Sequence, residues 1–212
     1  MTPVAVARSE RAALCDLLDQ LGPDAPTLCE GWRTRDLAAH LALRERRPDA
    51  AAGLVLPFLA GYAGKVQARF AAHPYSALVE LVRAGPPGWS PQRVGLVDQA
   101  TNTLEFLVHH EDVRRARERW SPRPPDAGRE AAVWARLRLM ARLLGRRSPV
   151  GLTLEPPHAP AVTVKPGAPR VTMAGPPSEL ALYLFGRTGV ADIELRGPSE
   201  AVDELRAVRF GI

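Results

Sequence analysis

The stretch TNTLEFLVHHEDVRRA, residues 101–116, concentrates side chains that can bind a metal ion. It holds His109 and His110, two of the five histidines in the chain, among several carboxylates. Positions four apart on an α-helix project from nearly the same side, so Glu105 and His109 form such a pair. A carboxylate oxygen and an imidazole nitrogen at that spacing can both reach one divalent ion at roughly 2.0–2.2 Å, the distances that zinc prefers.

A third ligand has to come from another segment. His110 is rotated by about 100° from His109 on the same helix and cannot join the pair. The remaining histidine in a predicted long helix is His40, in GWRTRDLAAHLALRERR. If these two helices pack together, two histidines and one carboxylate meet, with room left for water or substrate. The structural alternatives are a solvated helix face for the paired histidines and a hydrogen-bonded, partly buried role for His40.

Three charged side chains lie one turn from these positions. Asp36 precedes His40 and is either an acceptor that orients the imidazole or an acid favoured by the helix dipole. Arg44 follows His40 and either binds an anionic substrate or is a cation near a helix C-terminus. Asp112 follows His109 and is either its hydrogen-bond partner or one half of a surface ion pair.

The elements that must position these residues are helices. Apolar periodicity predicts a first helix over VARSERAALCDLLDQL, a second from about 32–34 to Pro48, a buried third over about 50–71, a short one over SALVELVRA, a fourth long one over about 98–119, and a fifth over REAAVWARLRLMARLLGRR. Short connections between long amphipathic helices favour antiparallel neighbours in a bundle.

The pattern changes after Ser148. VGLTLEP, PAVTVKP and PRVTMAG alternate in period two between Pro and Gly turns, which predicts strands. A helix over PPSELALYLFGR, a strand over ADIELRG and a helix over SEAVDELRAV follow. We therefore predict two domains, a mainly α metal-binding helical bundle over 1–148 and a small C-terminal α+β domain over 149–212.

Composition limits the class of protein. With 212 residues, 46% of them hydrophobic and 24% charged, the chain is typical of a globular protein. The net charge of +5 and the pI of about 9.8 do not favour nucleic-acid binding, because the arginines are interspersed with acids rather than clustered. The apolar run AAGLVLPFLAGYAG stops at Lys65 and contains Pro57, so no membrane span is predicted.

No export signal is visible at the N-terminus, and a cytoplasmic location is expected. Cys15 and Cys29 form no CxxC motif or regular framework, so they are interpreted as reduced thiols of a cytosolic protein. A metal-binding role for Cys29 is the less favoured interpretation.

Two segments in combination, LCEGWRTRDLAAHLALRERRPD and NTLEFLVHHEDVRRA, resemble the DinB-like superfamily. Within it they are similar to the mycothiol-dependent maleylpyruvate isomerase-like proteins of actinobacterial type, a metal-binding subfamily. In that family a Gly-Trp pair precedes a helix with Asp and then His, and a later helix carries Glu and His four apart. The matching residues here are Gly31, Trp32, Asp36, His40, Glu105 and His109. The tail segment GPPSELALYLFGR is similar to part of the family's C-terminal α+β domain.

The resemblance implies a mainly α fold, a DinB-like antiparallel four-helix-type bundle followed by a small α+β domain. It implies a divalent metal, usually zinc, on His40, Glu105 and His109. The implied activity is that of a mycothiol-dependent isomerase or thiol transferase acting on a small electrophilic, carboxylate-bearing molecule. The alternative is a metal-binding or sensor module without turnover.

The resemblance also concerns the remaining site residues and partners. Arg187 matches an arginine that follows a glycine in the family's tail. Arg187 and Arg44 are the candidate catalytic-site cations that hold a substrate carboxylate, although Arg187 can equally be a helix C-terminal cation. The expected partners are the small-molecule substrate and a low-molecular-weight thiol, with the chain acting as a monomer or homodimer.

Overall fold

The computed structural model describes residues 3–54, 56–88 and 95–211, with side chains from Ala5 onward and, in the last segment, from Asn102 onward. The helices of these residues are α1 (Pro3–Leu21), α2 (Thr34–Arg46), α3 (Pro48–Ala51), α4 (Ala60–Ala71), α5 (Tyr75–Ala84), α6 (Gly95–Arg115), α7 (Ala127–Leu144), α8 (Pro177–Leu184) and α9 (Ser199–Arg206). The strands are β1 (Gly151–Glu155), β2 (Val162–Lys165), β3 (Arg170–Ala174) and β4 (Glu194–Arg196). The chain divides into two compact units, Val4–Ser121 and essentially Pro122–Ile212.

Four helices of the first unit, α1, α2, α5 and α6, share one apolar core. Three of them contribute fully buried residues four positions apart, a spacing that places both on one helix face. Burying one such side chain contributes roughly 1.5–3 kcal/mol. The core residues include Leu14 and Leu18, Leu37 and Leu41, Leu78 and Val82, and Phe106 and Val113. Hydrophobic periodicity therefore brings α2 and α6, the helices with the candidate ligands, to the same core.

A charged pair is buried within this unit. Arg11 of α1 donates from Nη1 to Glu45 of α2 at 2.7 Å and to the carbonyl oxygen of Val82 in α5 at 2.8 Å. Its guanidinium also lies 4.3 Å from the ring centroid of Phe106 in α6. One cation thus contacts all four helices, and its charge is balanced where water is excluded.

The segment 50–71 is not the single buried helix that its apolar composition predicts. Pro57 has no backbone N–H to continue a helical ladder, and it begins a short 3₁₀ turn instead. Phe58 is 80% exposed and Tyr62 is 43% exposed, so the apolar residues here are not all buried. The prediction of one buried helix is wrong, because the segment comprises α3, 3₁₀ turns over Ala52–Leu54 and Pro57–Leu59, and α4.

The second unit contains a four-stranded sheet in the order β2-β1-β3-β4. The β1 and β3 strands are parallel, while β2 and β4 pair antiparallel with them at either edge. Leu152 lies opposite Val171 and Leu154 opposite Met173, and all four are fully buried. The period-two alternation of these strands therefore corresponds to one apolar face of the sheet.

The helix α7 belongs to the second unit, where it packs against α8. Glu130 of α7 accepts hydrogen bonds from the backbone N–H and the hydroxyl of Ser178, at 2.9 and 3.0 Å. It thereby satisfies a donor at the first turn of α8. The two compact units divide between Ser121 and Pro122. The division into a helical domain over 1–148 and an α+β domain over 149–212 stays a prediction.

None of the helices in the described segments combines the length and the apolar composition that a membrane crossing requires.

Candidate metal centre

Three predicted ligands meet inside the first unit. His40 comes from α2, and Glu105 and His109 come from adjacent turns of α6. The Nε2 atom of His40 lies 3.2 Å from Oε1 of Glu105, and Nε2 of His109 lies 3.3 Å from the same oxygen. All three donor atoms lie within 4.8 Å of one another. The structure thus brings together two imidazole nitrogens and one carboxylate oxygen from segments 65 residues apart.

The two nitrogen-to-oxygen distances of this triad fit a divalent ion. Two ligand atoms of a tetrahedral zinc site are about 3.3 Å apart when each metal bond is about 2.0–2.1 Å. The two nitrogen-to-oxygen distances, 3.2 and 3.3 Å, match that spacing. The donor set also suits zinc, which binds imidazole and carboxylate together in sites that keep an open position.

The side chain of Asp112 defines how His109 presents its ring. Its Oδ2 atom lies 2.9 Å from Nδ1 of His109, one turn further along α6. With the proton of the neutral ring on Nδ1 and donated to this carboxylate, the lone pair on Nε2 faces Glu105. Asp112 thus lies at the position of a hydrogen-bond partner for His109.

His40 is held differently. Its ring centroid lies 5.1 Å from the Trp32 ring at an angle of 50°. Within the described residues its Nδ1 atom is buried without a hydrogen-bond partner. Asp36 does not contact this nitrogen but accepts a hydrogen bond at 2.9 Å from the backbone N–H of Arg33, the N-cap of α2. The structure therefore places Asp36 in the helix-terminal role that the sequence offered as its alternative.

Arg44 lies in the last turn of α2 and also against the candidate ligand Glu105. Its Nε atom is 3.4 Å from Oε1 of Glu105, and its Nη1 donates to the side-chain oxygen of Asn102. Asn102 is fully buried and was missed by sequence reasoning, since a lone asparagine on a helix carries no signal of its own. The two contacts hold the guanidinium one turn from His40.

Burial and charge act in opposite directions on these groups. Burial alone raises the pKa of Glu105, but the Arg44 charge and the two histidines outweigh it and hold that pKa well below 4.5. Burial lowers the pKa of His40 below 6.5. For His109, burial lowers the pKa, but the hydrogen bond to Asp112 and the nearby Cys29 and Glu105 outweigh it and raise the pKa well above 6.5. Without metal, the site therefore favours an ionised carboxylate beside a protonated His109.

A second cluster that the sequence did not predict lies behind His109. The Sγ atom of Cys29 is 3.2 Å from Oδ2 of Asp112 and 4.0 Å from Nδ1 of His109. The three side chains also form a set that could hold a metal ion. The position of Cys29 two residues before the Gly-Trp pair was the available signal, but spacing alone could not relate it to a helix 80 residues away.

The other predicted residues occupy separate places. His110 points away from the triad, as helix geometry requires, and its Nδ1 lies 2.8 Å from a carboxylate oxygen of Glu10. Arg187 follows α8 in the second unit, where it donates to the carbonyl oxygen of Phe185 at 2.5 Å. The expectation that Arg187 holds a substrate carboxylate stays a prediction.

These features define a class: a helical protein that brings two histidines and a glutamate to one point, with an α+β unit at its C-terminal end. The sequence matches no protein-family profile and no curated protein. Two solved structures share the fold. One is the mycothiol-dependent maleylpyruvate isomerase, with 15% identity, 91% coverage of each chain and a TM-score of 0.59. The other is a histidine-to-alanine mutant of a mycothiol-dependent maleylpyruvate isomerase, with 14% identity, the same coverage and a TM-score of 0.62.

The chain therefore has the fold of the mycothiol-dependent maleylpyruvate isomerase. This confirms the mainly α fold class with a C-terminal α+β part, and it supports the resemblance seen in the sequence at the level of the fold.

Proposed function

We propose that this protein binds one divalent metal ion, zinc, through His40, Glu105 and His109, and uses it in a mycothiol-dependent isomerase or thiol-transferase reaction on a small electrophilic molecule. The observation that carries the proposal is the position of Glu105 Oε1, 3.2 and 3.3 Å from the Nε2 atoms of the two histidines. The two nitrogen-to-oxygen distances suit a tetrahedral site in which both imidazoles and the carboxylate bind one ion.

Three protein ligands leave one coordination position open, which is typical of catalytic rather than structural zinc. When bound, the metal would supply the acidity that converts a coordinated thiol to a nucleophilic thiolate at neutral pH. The mycothiol dependence of the structural neighbours favours a low-molecular-weight thiol as that ligand. The cytoplasm, where such thiols remain reduced, is the proposed location.

The chain's own residues then have distinct roles. Asp112 accepts a hydrogen bond from Nδ1–H of His109, which keeps Nε2 available as a ligand. Arg44 sustains the negative charge of Glu105, and its guanidinium adds positive potential beside the triad. A substrate that carries a carboxylate is favoured by this charge, and Arg187 is proposed to bind that carboxylate through its two-pronged guanidinium.

The first experiment measures metal content and metal affinity. His40→Ala and His109→Ala should each abolish stoichiometric metal binding, because two ligands do not hold zinc against water and buffer. His73→Ala is the matched control, since His73 is exposed and lies outside the triad, with its ring stacked on Phe70 and its Nδ1 atom 3.0 Å from the Arg69 carbonyl oxygen. Full metal occupancy in both ligand variants would overturn the proposed site.

The second experiment measures turnover. The metal-loaded protein is incubated with mycothiol and a panel of small electrophiles, with and without a carboxylate. Thiol-dependent conversion that disappears in His109→Ala supports the enzymatic function. Arg187→Lys keeps the positive charge but loses the two parallel hydrogen bonds that a guanidinium can donate. It should therefore leave metal content unchanged and slow the conversion of carboxylate-bearing substrates.

A metal-binding module without turnover is the second candidate. The observation in its favour is that Arg44 already contacts Glu105 and Asn102, so part of its donor capacity is used within the protein. Stoichiometric metal binding without conversion of any electrophile in the panel, with or without mycothiol, would select this candidate over the enzyme.

A further inference from the structure

Cys29 lies beside the metal centre without belonging to the triad. Its Sγ atom is 3.2 Å from Oδ2 of Asp112, a distance at which a thiol S–H donates to a carboxylate. The same Oδ2 atom lies 2.9 Å from Nδ1 of His109. One carboxylate oxygen thus accepts from both an imidazole and a thiol, and its lone pairs allow two such bonds.

The backbone around Cys29 holds the thiol in place. The N–H of Leu28 donates to the carbonyl oxygen of Asp112 at 3.1 Å, which anchors the loop on the residue that the thiol contacts. The N–H of Cys29 donates to the hydroxyl oxygen of Thr27 at 3.2 Å, and the N–H of Trp32 donates to the carbonyl oxygen of Cys29 at 3.0 Å. The thiol position therefore follows from the path of the chain between α1 and α2.

The hydrogen bond from Cys29 to Asp112 lies where water has little access. Asp112 is fully buried and Cys29 is partly buried, so water cannot freely replace the thiol as a donor. A carboxylate oxygen that receives two donors from different directions is restrained in its rotation. Removing the thiol proton therefore releases one of the restraints on the orientation of this carboxylate.

The same atoms could instead form a second metal site, and the distances decide between the two interpretations. The 2.9 and 3.2 Å contacts are those of hydrogen bonds through N–H and S–H. The 4.0 Å separation of Sγ and Nδ1 is longer than the roughly 3.6 Å expected for sulfur and nitrogen on one tetrahedral zinc. The geometry therefore favours a hydrogen-bonded chain of Cys29, Asp112 and His109.

We infer that Cys29 is a positioning residue of the metal centre: its thiol donates to Asp112, which in turn orients His109 as a ligand. This inference rests on the proposed metal-binding function and adds to it a residue that contacts neither metal nor substrate.

The test compares Cys29→Ala with Cys29→Ser and uses Cys15→Ala as the matched control for loss of a thiol elsewhere in the unit. Metal affinity is measured by competition with a chelator. Loss of a residue that is hydrogen-bonded to a metal ligand typically weakens metal binding about 10–100-fold. Cys29 acts on the ligand only through Asp112, so its loss should weaken metal binding by up to about tenfold. Serine retains a donor and should restore most of the affinity, while the control should leave it unchanged.

A second readout separates positioning from general stability. Long-range ¹H–¹⁵N spectra report the protonation and hydrogen bonding of the two His109 ring nitrogens. The Nδ1 signal should shift in Cys29→Ala and return toward the original value in Cys29→Ser. Equal loss of thermal stability in both variants, with unchanged spectra and affinity, would overturn the inference.

The remaining outcomes are distinguishable from one another. If the unmodified protein binds no metal, the proposed function fails, while the spectra of the metal-free protein still test the link from Cys29 to His109. If cadmium produces a thiolate-to-metal charge-transfer absorption that is absent in Cys29→Ser and present in Cys15→Ala, Cys29 is a metal ligand and the positioning role is wrong.

Discussion

Nδ1 of His109 lies 2.9 Å from Oδ2 of Asp112, one turn further along the same helix, and this contact selects the ring nitrogen that faces the metal centre. Because the carboxylate is fully buried, its negative charge acts on the imidazole with little screening by water. Asp112 thus fixes the tautomer of His109 and also places a negative charge beside its ring.

Asp112→Asn should weaken metal binding by about 10–100-fold without abolishing it, because the amide keeps an acceptor but loses the charge that makes His109 a better ligand. Competition with a chelator measures the change. Asp203→Asn, at an exposed position of α9, is the control and should bind metal like the original chain. Unchanged affinity in Asp112→Asn would show that the contact does not support the ligand.

Metal binding should weaken as the pH falls. Burial favours the neutral form of His109, but the hydrogen bond to Asp112 and the nearby Cys29 and Glu105 prevail and raise its pKa well above 6.5. A metal ion must displace that proton, so affinity should drop about tenfold per pH unit below the raised pKa and level off above it. A chelator titration from pH 5 to pH 9 tests this. An affinity that is independent of pH below 6.5 would contradict the assignment.

The two cysteines should differ in reactivity. Burial raises the pKa of Cys15 to about 12, although the charges of Arg83 and Arg11 oppose the shift, so its thiol stays protonated and inaccessible. Cys29 is partly exposed. Iodoacetamide at pH 8 should therefore label Cys29 well before Cys15 in the folded protein, and both in denaturant, as read by peptide mass spectrometry. Labelling of both at similar rates in the folded state would contradict this.

Replacing only one residue of the buried pair Arg11 and Glu45 should destabilise the protein. Glu45→Ala leaves the Arg11 charge buried without its carboxylate, and the free energy of unfolding should fall by about 3–5 kcal/mol. The double variant Arg11→Met with Glu45→Leu should recover most of that loss, because it removes both charges together. Urea denaturation measures both changes. Equal losses in the single and double variants would show that packing, rather than charge, dominates.

Local spacing in the sequence determined much of this protein. Glu105 and His109 share a helix face because residues four apart differ by little in angle, whatever the rest of the chain does. The β-branched runs after Ser148 formed strands for a similar local reason, because alternation in period two suits a sheet with one apolar face.

Composition alone misled in the segment 50–71. Apolar content there predicted a buried helix, but Pro57 lacks the N–H that a continuous helix needs, and Phe58 is exposed. Burial depends on which surfaces other helices cover, and that information is not local.

Tertiary structure alone decided which distant groups meet. Cys29 and Asp112 are 83 residues apart, and no periodicity relates a loop thiol to a helix carboxylate. Arg44 lies in the last turn of α2, as its position in the sequence indicates, but only the packing of α2 beside α6 placed it against Glu105. Helical spacing is set by the geometry of one backbone, whereas these contacts depend on how several helices bury a common core, and only the folded chain defines that arrangement.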